Sequence, residues 1–180
     1  MARLRGPRPL DRRDARDGFR CGVASLDTWL VEHAPGADAA GSARTYVVVD
    51  EKQDRVVGYY ALTVASLERD EATGRASKGM PHHPIPAMLL ARLAVDESVQ
   101  GDGVGATLLA DAMERTLLVA QETGIRLLLV HAVNAEARSF YLHFGFEASP
   151  SDPMNLQFLI KDIRATIEAA DDDPAGEEGA

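Results

Sequence analysis

Leu89 to Leu109 reads L-L-A-R-L-A-V-D-E-S-V-Q-G-D-G-V-G-A-T-L-L, and its pattern is strand, turn, helix. Leu89, Ala91, Leu93 and Val95 recur at every second position, the period of a half-buried strand, and the apolar run stops at Asp96. Gly101, Gly103 and Gly105 then alternate just before a helical pattern, so the backbone amides there have no Cβ in front of them. A helix N-terminus adds unpaired N–H groups and the positive end of a macrodipole, a combination that favours phosphate. Gly101, Gly103 and Ala106 also satisfy the dinucleotide fingerprint G-x-G-x-x-A. The next strand, Leu127 to Val130, runs into His131, however, where that fold wants an acid for a ribose hydroxyl. No Lys followed by Ser or Thr comes after the last glycine, which excludes a Walker loop. A glycine-rich turn that binds nothing is the alternative these residues leave open.

The 180 residues, 46% of them apolar, suffice for one core and one domain. Cys21 is the single cysteine and cannot form an internal disulfide, and no positively charged segment followed by an apolar run opens the chain; the expected location is the cytoplasm. No apolar run approaches the ~20 residues of a membrane helix, so a membrane role is not expected. The net charge of −9 is unevenly spread. Arg3, Arg5, Arg8, Arg12, Arg13, Arg16 and Arg20 precede Gly22, against Asp11, Asp14 and Asp17. Residues 1–18 are therefore expected to be a basic N-terminal arm, mobile or laid across the surface, and residues 19–168 the folded domain. Residues 169–180, with Asp171, Asp172, Asp173, Glu177 and Glu178 among small residues, are expected to be an acidic disordered tail. Without that tail the body is only moderately acidic, and an anionic partner is not excluded.

Ser25 is positioned to cap a helix with Leu26, Trp29 and Leu30 on one face, ended by Ala34 to Gly36, with a small, flexible stretch to Ala43. Thr45 to Val49 and Val56 to Leu67 form a hairpin, followed by a polar loop from Glu68 to Gly79. Pro81, Pro84 and Pro86 hold the chain extended around His82 and His83. No cysteine or second histidine pair at ligand spacing accompanies these, so they are loop residues and no metal is expected. After the glycine turn, Leu108, Leu109, Ala112, Met113, Leu117 and Ala120 share half of a helical wheel, with Leu118 as the exception. The continuous apolar run from Leu127 to Val133 marks a strand covered on both faces, parallel to the first through a right-handed crossover. Asn134 caps a short helix through Ala137, Tyr141 and Phe144 that Gly145 ends, and Leu156 to Ile160 is a last strand. The fold class is α/β, an antiparallel half followed by a parallel pair.

Two markers joined by a crossover are more specific than either alone: Q-G-D-G-V-G at Gln100 to Gly105, and N-A-E-A-R-S-F-Y-L-H-F-G-F at Asn134 to Phe146. Together they resemble the GNAT superfamily of acyl-CoA-dependent N-acyltransferases, whose pyrophosphate loop reads [Q/R]-x-x-G-x-[G/A]. Phe19 to Leu30, Ala43 to Val47, Val57 to Leu62 and Pro84 to Asp96 further resemble the TacT-type toxin acetyltransferases of toxin-antitoxin systems, over roughly Pro9 to Ile163. The resemblance implies a GNAT-type mixed sheet with an antiparallel N-terminal half, a splayed parallel strand pair and flanking helices. It implies acetyl-CoA entering beyond Val95 and Val133, its pantetheine arm on Leu93, Ala94 and Val95. Its pyrophosphate would rest on the turn of Gln100, Gly101, Asp102, Gly103, Val104, Gly105 and Ala106, with Asn134 as a further cofactor residue. Asp102 stands where TacT-like chains carry a basic residue.

By the same resemblance, a neutral amine attacks the thioester directly, a backbone N–H near Val95 stabilises the oxyanion, and Tyr141 protonates the departing thiolate. A phenol of pKa ~10 is protonated at neutral pH, and an α-amine that titrates near pH 8 needs no strong base. His131, His143 and Glu97 are base candidates by position only. The implied acceptor is aminoacyl-tRNA, with Arg44, Arg92 and the N-terminal arginines as candidate phosphate contacts. A homodimer and a ribbon-helix-helix antitoxin are the implied partners. Two other readings stay open: a GNAT enzyme acetylating a small amine or a protein amino group, and a non-catalytic CoA-fold binding module.

Overall fold

The computed structural model describes residues 2–172. Seven strands form one mixed sheet in the order β1-β2-β3-β4-β5-β7-β6, antiparallel except for the parallel β4–β5 pair, and helices flank it, as expected of the α/β class. The chain divides into two compact units, one built from the chain up to Ala65 together with Met88–Ala112, the other from Ser66–Ala87 together with the chain from Met113 on.

In the first unit, β1 (Leu4–Pro9) pairs antiparallel with β2 (Arg44–Asp50), and β2 pairs antiparallel with β3 (Arg55–Leu67). Of the arm expected to be mobile or laid across the surface, Leu4–Pro9 is laid along the sheet as its edge strand. Its Arg, Gly and Pro have little strand preference of their own, but at a sheet edge only one side of the backbone needs a partner, and prolines are tolerated. Glu51 N–H donates to the Arg3 carbonyl at 2.8 Å and Leu10 N–H to Thr45 at 2.9 Å, fastening both ends of the strand.

The first helical stretch also departs from expectation. Val23, not Ser25, occupies the N-cap of α1 (Ala24–Thr28), without a side-chain cap. The helix widens to a π-helical stretch over Trp29–His33 and continues as α2 (Ala34–Ala40), ending at Gly41 in the left-handed region (φ 71°). Pro35 does not end the helix; it stands in the first turn of α2, directly after the π-helical stretch. Phe19, Leu26, Leu30, Val47, Val49, Val56, Tyr59 and Ala94 form the core against these helices.

Strand β4 (Ile85–Val95) follows the prolines as expected, but its inner face is the other one: Leu90 and Ala94 are buried, whereas Leu89, Ala91, Leu93 and Val95 are only half-buried. Both faces carry apolar residues, so alternation could not say which one the core takes. Helix α4 (Val104–Glu122) buries Leu108, Leu109, Ala112 and Met113 and leaves Leu118 61% exposed, matching the wheel. Its first turn sits hard against β3. A Cβ on Gly58 would lie 3.0 Å from Val104 Cγ1 and 3.2 Å from Leu108 Cδ1.

In the second unit, α3 (Gly74–Ser77), capped by Thr73, interrupts the expected polar loop. Strand β5 (Leu127–His131) pairs antiparallel with β7 (Asn155–Leu159), which also pairs with β6 (Glu147–Ala148). Between β5 and β6 lies α5 (Ala135–His143). A helix that sequence reading did not draw, α6 (Ile160–Asp171), follows β7 and buries Ile160 and Ile163. It covers residues 169–171 of the expected tail, while residues 173–180 lie outside the described residues.

Candidate active site

In the first unit the glycine turn is held from behind by Asp96, a carboxylate only 4% exposed. Arg55 donates to both of its oxygens at 3.0 Å, Ser98 donates through N–H at 3.1 Å and hydroxyl at 2.6 Å, and the Arg20 N–H donates at 3.0 Å. Burial alone would raise the Asp96 pKa, but the hydrogen bonds from Arg55, Ser98 and Arg20 outweigh it and hold the carboxyl well below the usual carboxylate range. Asp96 thus ends β4, caps the 3-10 turn Glu97–Val99 and ties both to the N-terminal segment. Sequence reading saw Asp96 only as the end of an apolar run. The D-x-S spacing of a cap was visible, but its partner Arg55 lies 41 residues away.

Gln100 spends its side-chain amide on two carbonyls, Cys21 at 3.0 Å and Val95 at 2.9 Å, so its role is to shape the turn. Gly101 (φ 85°) and Gly103 (φ 82°) both occupy the left-handed region, and a Cβ on either would meet nothing within 4 Å. The turn is therefore open on the side its glycines face. Thr107 N–H is bonded to the Gly103 carbonyl at 3.1 Å, the first i→i−4 bond of α4, so the amides of Val104, Gly105 and Ala106 lack a helical partner. The Val104 side chain is buried against Gly58. Asp102 is exposed. This donor set fits a pyrophosphate: N–H groups without a helical partner, the positive end of a 19-residue helix and open space at Gly101 and Gly103. Leu93 and Val95 are half-buried on β4, and Ala94 belongs to the core.

In the second unit Asn134 Oδ1 accepts the Ala137 N–H at 2.8 Å and caps α5, as expected. One turn further, Tyr141 is 5% exposed, with its ring edge-on to Phe140 at 5.2 Å and to Phe146 at 5.4 Å. Gly145 (φ 103°) lets the chain turn there, since a Cβ would press on Phe158 at 3.1 Å. Among the described residues the Tyr141 hydroxyl has no recorded hydrogen-bond partner, while the ring is held between its two aromatic neighbours. Burial pushes the phenol above its ordinary pKa. It is a proton donor at neutral pH. His131, His143 and Glu97 are exposed.

The candidate phosphate contacts divide. Arg44 is paired with Asp38, at 3.0 Å to its carbonyl and 3.3 Å to its carboxylate. Arg92 instead lies over the indole of Trp29. His82 and His83 are exposed, and among the described residues no group of three or more metal-ligating side chains occurs. No described helix is long and apolar enough to cross a membrane.

The acetyltransferase (GNAT) domain model matches residues 41–148. The tRNA-acetylating toxin of Mycobacterium tuberculosis is 43% identical over 167 residues, 93% of this chain and 99% of that protein. Among solved structures, AtaT complexed with acetyl-methionyl-tRNAfMet is 30% identical with a TM-score of 0.82, covering 93% of this chain and 99% of that one. A tyrosine-to-phenylalanine variant of AtaT bound to the C-terminus of the antitoxin AtaR and to acetyl-CoA is 28% identical with a TM-score of 0.76, covering 92% and 97%.

Proposed function

Because the chain belongs to the GNAT acetyltransferase family, we propose that it is an acetyl-CoA-dependent toxin that acetylates the α-amine of aminoacyl-tRNA. The observation that carries this reading is the Tyr141 phenol, locked by its ring, protonated at neutral pH and with its hydroxyl unclaimed by the protein. The likeness to a tRNA-acetylating toxin along nearly its whole length supports the choice of acceptor.

When bound, acetyl-CoA supplies a thioester activated for acyl transfer. The amides of Gly101 to Ala106, in a turn shaped by Gln100 and with the Asp102 side chain exposed, would hold its pyrophosphate, and Leu93, Ala94 and Val95 would pair with its pantetheine arm. The Val95 carbonyl is already engaged by Gln100, so that pairing uses the remaining backbone groups of β4. Asn134 acts through the cap that orients α5. The neutral α-amine of the acceptor attacks the thioester carbon, the C–S bond breaks as Tyr141 gives its phenolic proton to the departing thiolate, and the proton shed by the acylated nitrogen passes through water to restore the phenol. No metal takes part in this scheme. Arg92 is the better of the two proposed acceptor contacts, because Arg44 is already paired. Neutralisation by an antitoxin completes the proposal, supported by a relative bound to the C-terminus of an antitoxin, together with a homodimer and a cytoplasmic location.

The test is transfer of labelled acetyl from acetyl-CoA to charged tRNA, repeated with Tyr141→Phe. Loss of a general acid costs about 10²- to 10⁴-fold in turnover. Label appearing only on small amines would shift the reading to a small-amine GNAT enzyme. Acetyl-CoA binding without transfer to any acceptor would leave a binding module.

A further inference from the structure

The guanidinium of Arg92, on β4, sits 5.4 Å from the centroid of the Trp29 ring. That indole is stacked on Tyr59 at 5.8 Å and 11°, and the Tyr59 hydroxyl donates to the Leu26 carbonyl at 2.7 Å, so the platform beneath the cation is part of the core. Arg92 is half-buried, and Nη1 bonds the carbonyl of its neighbour Ala91 at 2.7 Å. Among the described residues no carboxylate pairs with it, whereas Arg8, Arg44 and Arg55 each face one. Asp27, whose charge like that of Arg92 is felt at Tyr59, has Oδ1 engaged by the Cys21 N–H at 2.8 Å. Partial burial of a guanidinium without a counter-ion carries a desolvation cost that an indole face offsets only in part. A cation seated on an indole face and unneutralised is preorganised for an anion contact, and phosphate is the anion whose geometry matches the guanidinium fork.

We propose that Arg92, held on Trp29, is the subsite for a phosphodiester of the RNA acceptor beside its aminoacylated end. This rests on the reading of the chain as an aminoacyl-tRNA acetyltransferase. Acetyl-CoA carries phosphoryl groups of the same chemistry, but the amides of the glycine turn already provide for them. Trp29 is a positioning residue: it holds the guanidinium in place and does not itself touch the phosphate.

Steady-state kinetics with two acceptors separates the possibilities: aminoacyl-tRNA, and aminoacyl-adenosine, which carries the same ester but no phosphodiester. Arg92→Gln is expected to lower the preference in kcat/KM for aminoacyl-tRNA about ten- to a hundredfold, the loss of a charge-assisted hydrogen bond. The salt dependence of tRNA binding should flatten by roughly 0.7 in slope, one single-strand phosphate contact. Arg92→Lys should restore part of both. Equal loss on the two acceptors would overturn the subsite, as would a raised KM for acetyl-CoA with the tRNA preference intact. A wild-type protein that acetylates neither acceptor would bring down the functional reading itself and the subsite with it.

Discussion

Asp96→Ala removes the acceptor of five hydrogen bonds from Arg55, Ser98 and Arg20 at a side chain 5% exposed, and leaves an Arg55 side chain 22% exposed without its counter-ion. Breaking a buried ion pair by deleting one partner costs about 3 to 5 kcal/mol. Water can reach part of the Arg55 side chain, which argues for the lower end, about 3 kcal/mol. For a chain of this length that corresponds to a fall in Tm of roughly 6 to 12 °C. The sign of the pH dependence follows from the depressed Asp96 pKa. Its contribution is fully present above the unfolded value near 3.9 and is lost as pH falls through the lower folded value. Urea unfolding of both proteins from pH 7 downward is the assay, and the gap between them should be constant to about pH 5 and then narrow in strong acid. Because Asp96 also sets the exit of the glycine turn from β4, KM for acetyl-CoA should rise by more than kcat falls. A difference in stability under 1 kcal/mol at neutral pH, or a gap that persists unchanged into acid, would refute the reasoning.

Gly103→Ala places a Cβ at φ 82° with open space around it, so the cost is backbone strain, about 1 kcal/mol, and the KM for acetyl-CoA should rise as the methyl stands before the amides. Gly58→Ala drives a methyl to 3.0 Å from Val104 Cγ1, and chemical denaturation should show a loss of about 1 to 3 kcal/mol from overpacking at the first turn of α4. Tyr141→Phe, in addition to its loss of transfer, should unfold within about 0.5 kcal/mol of wild type, because the hydroxyl gives up no hydrogen bond within the protein; a large destabilisation would mean that the phenol is structural.

Local rules were enough for the elements whose reasons are local. The hairpin at Asp50 to Arg55, the α4 wheel, the Asn134 cap and the Gly145 stop each depend on neighbours within a few residues, and each is found where the residues place it. The family, too, was legible, because the turn at Gln100 to Gly105 and the helix with Tyr141 bear chemistry-bearing residues at fixed spacing. The helix α6 was missed for a different reason. Its apolar positions, Ile160, Ile163 and Ile167, do follow helical spacing, but they come directly after the last expected strand, Leu156 to Ile160, and the helix is too short to stand out before the acids of the expected tail.

From its own residues the chain declared an α/β fold, a phosphate-ready turn and a phenol on a capped helix. Tertiary structure alone decided which face of β4 lies inward, that a proline-rich basic segment becomes an edge strand, and that Pro35 continues a helix. It alone brought Arg55 to Asp96 and Trp29 under Arg92. The physical reason is common to these. Each is a choice between options of similar local energy, settled by a partner tens of residues away whose hydrogen bonds or buried surface exceed the small differences that propensity can express.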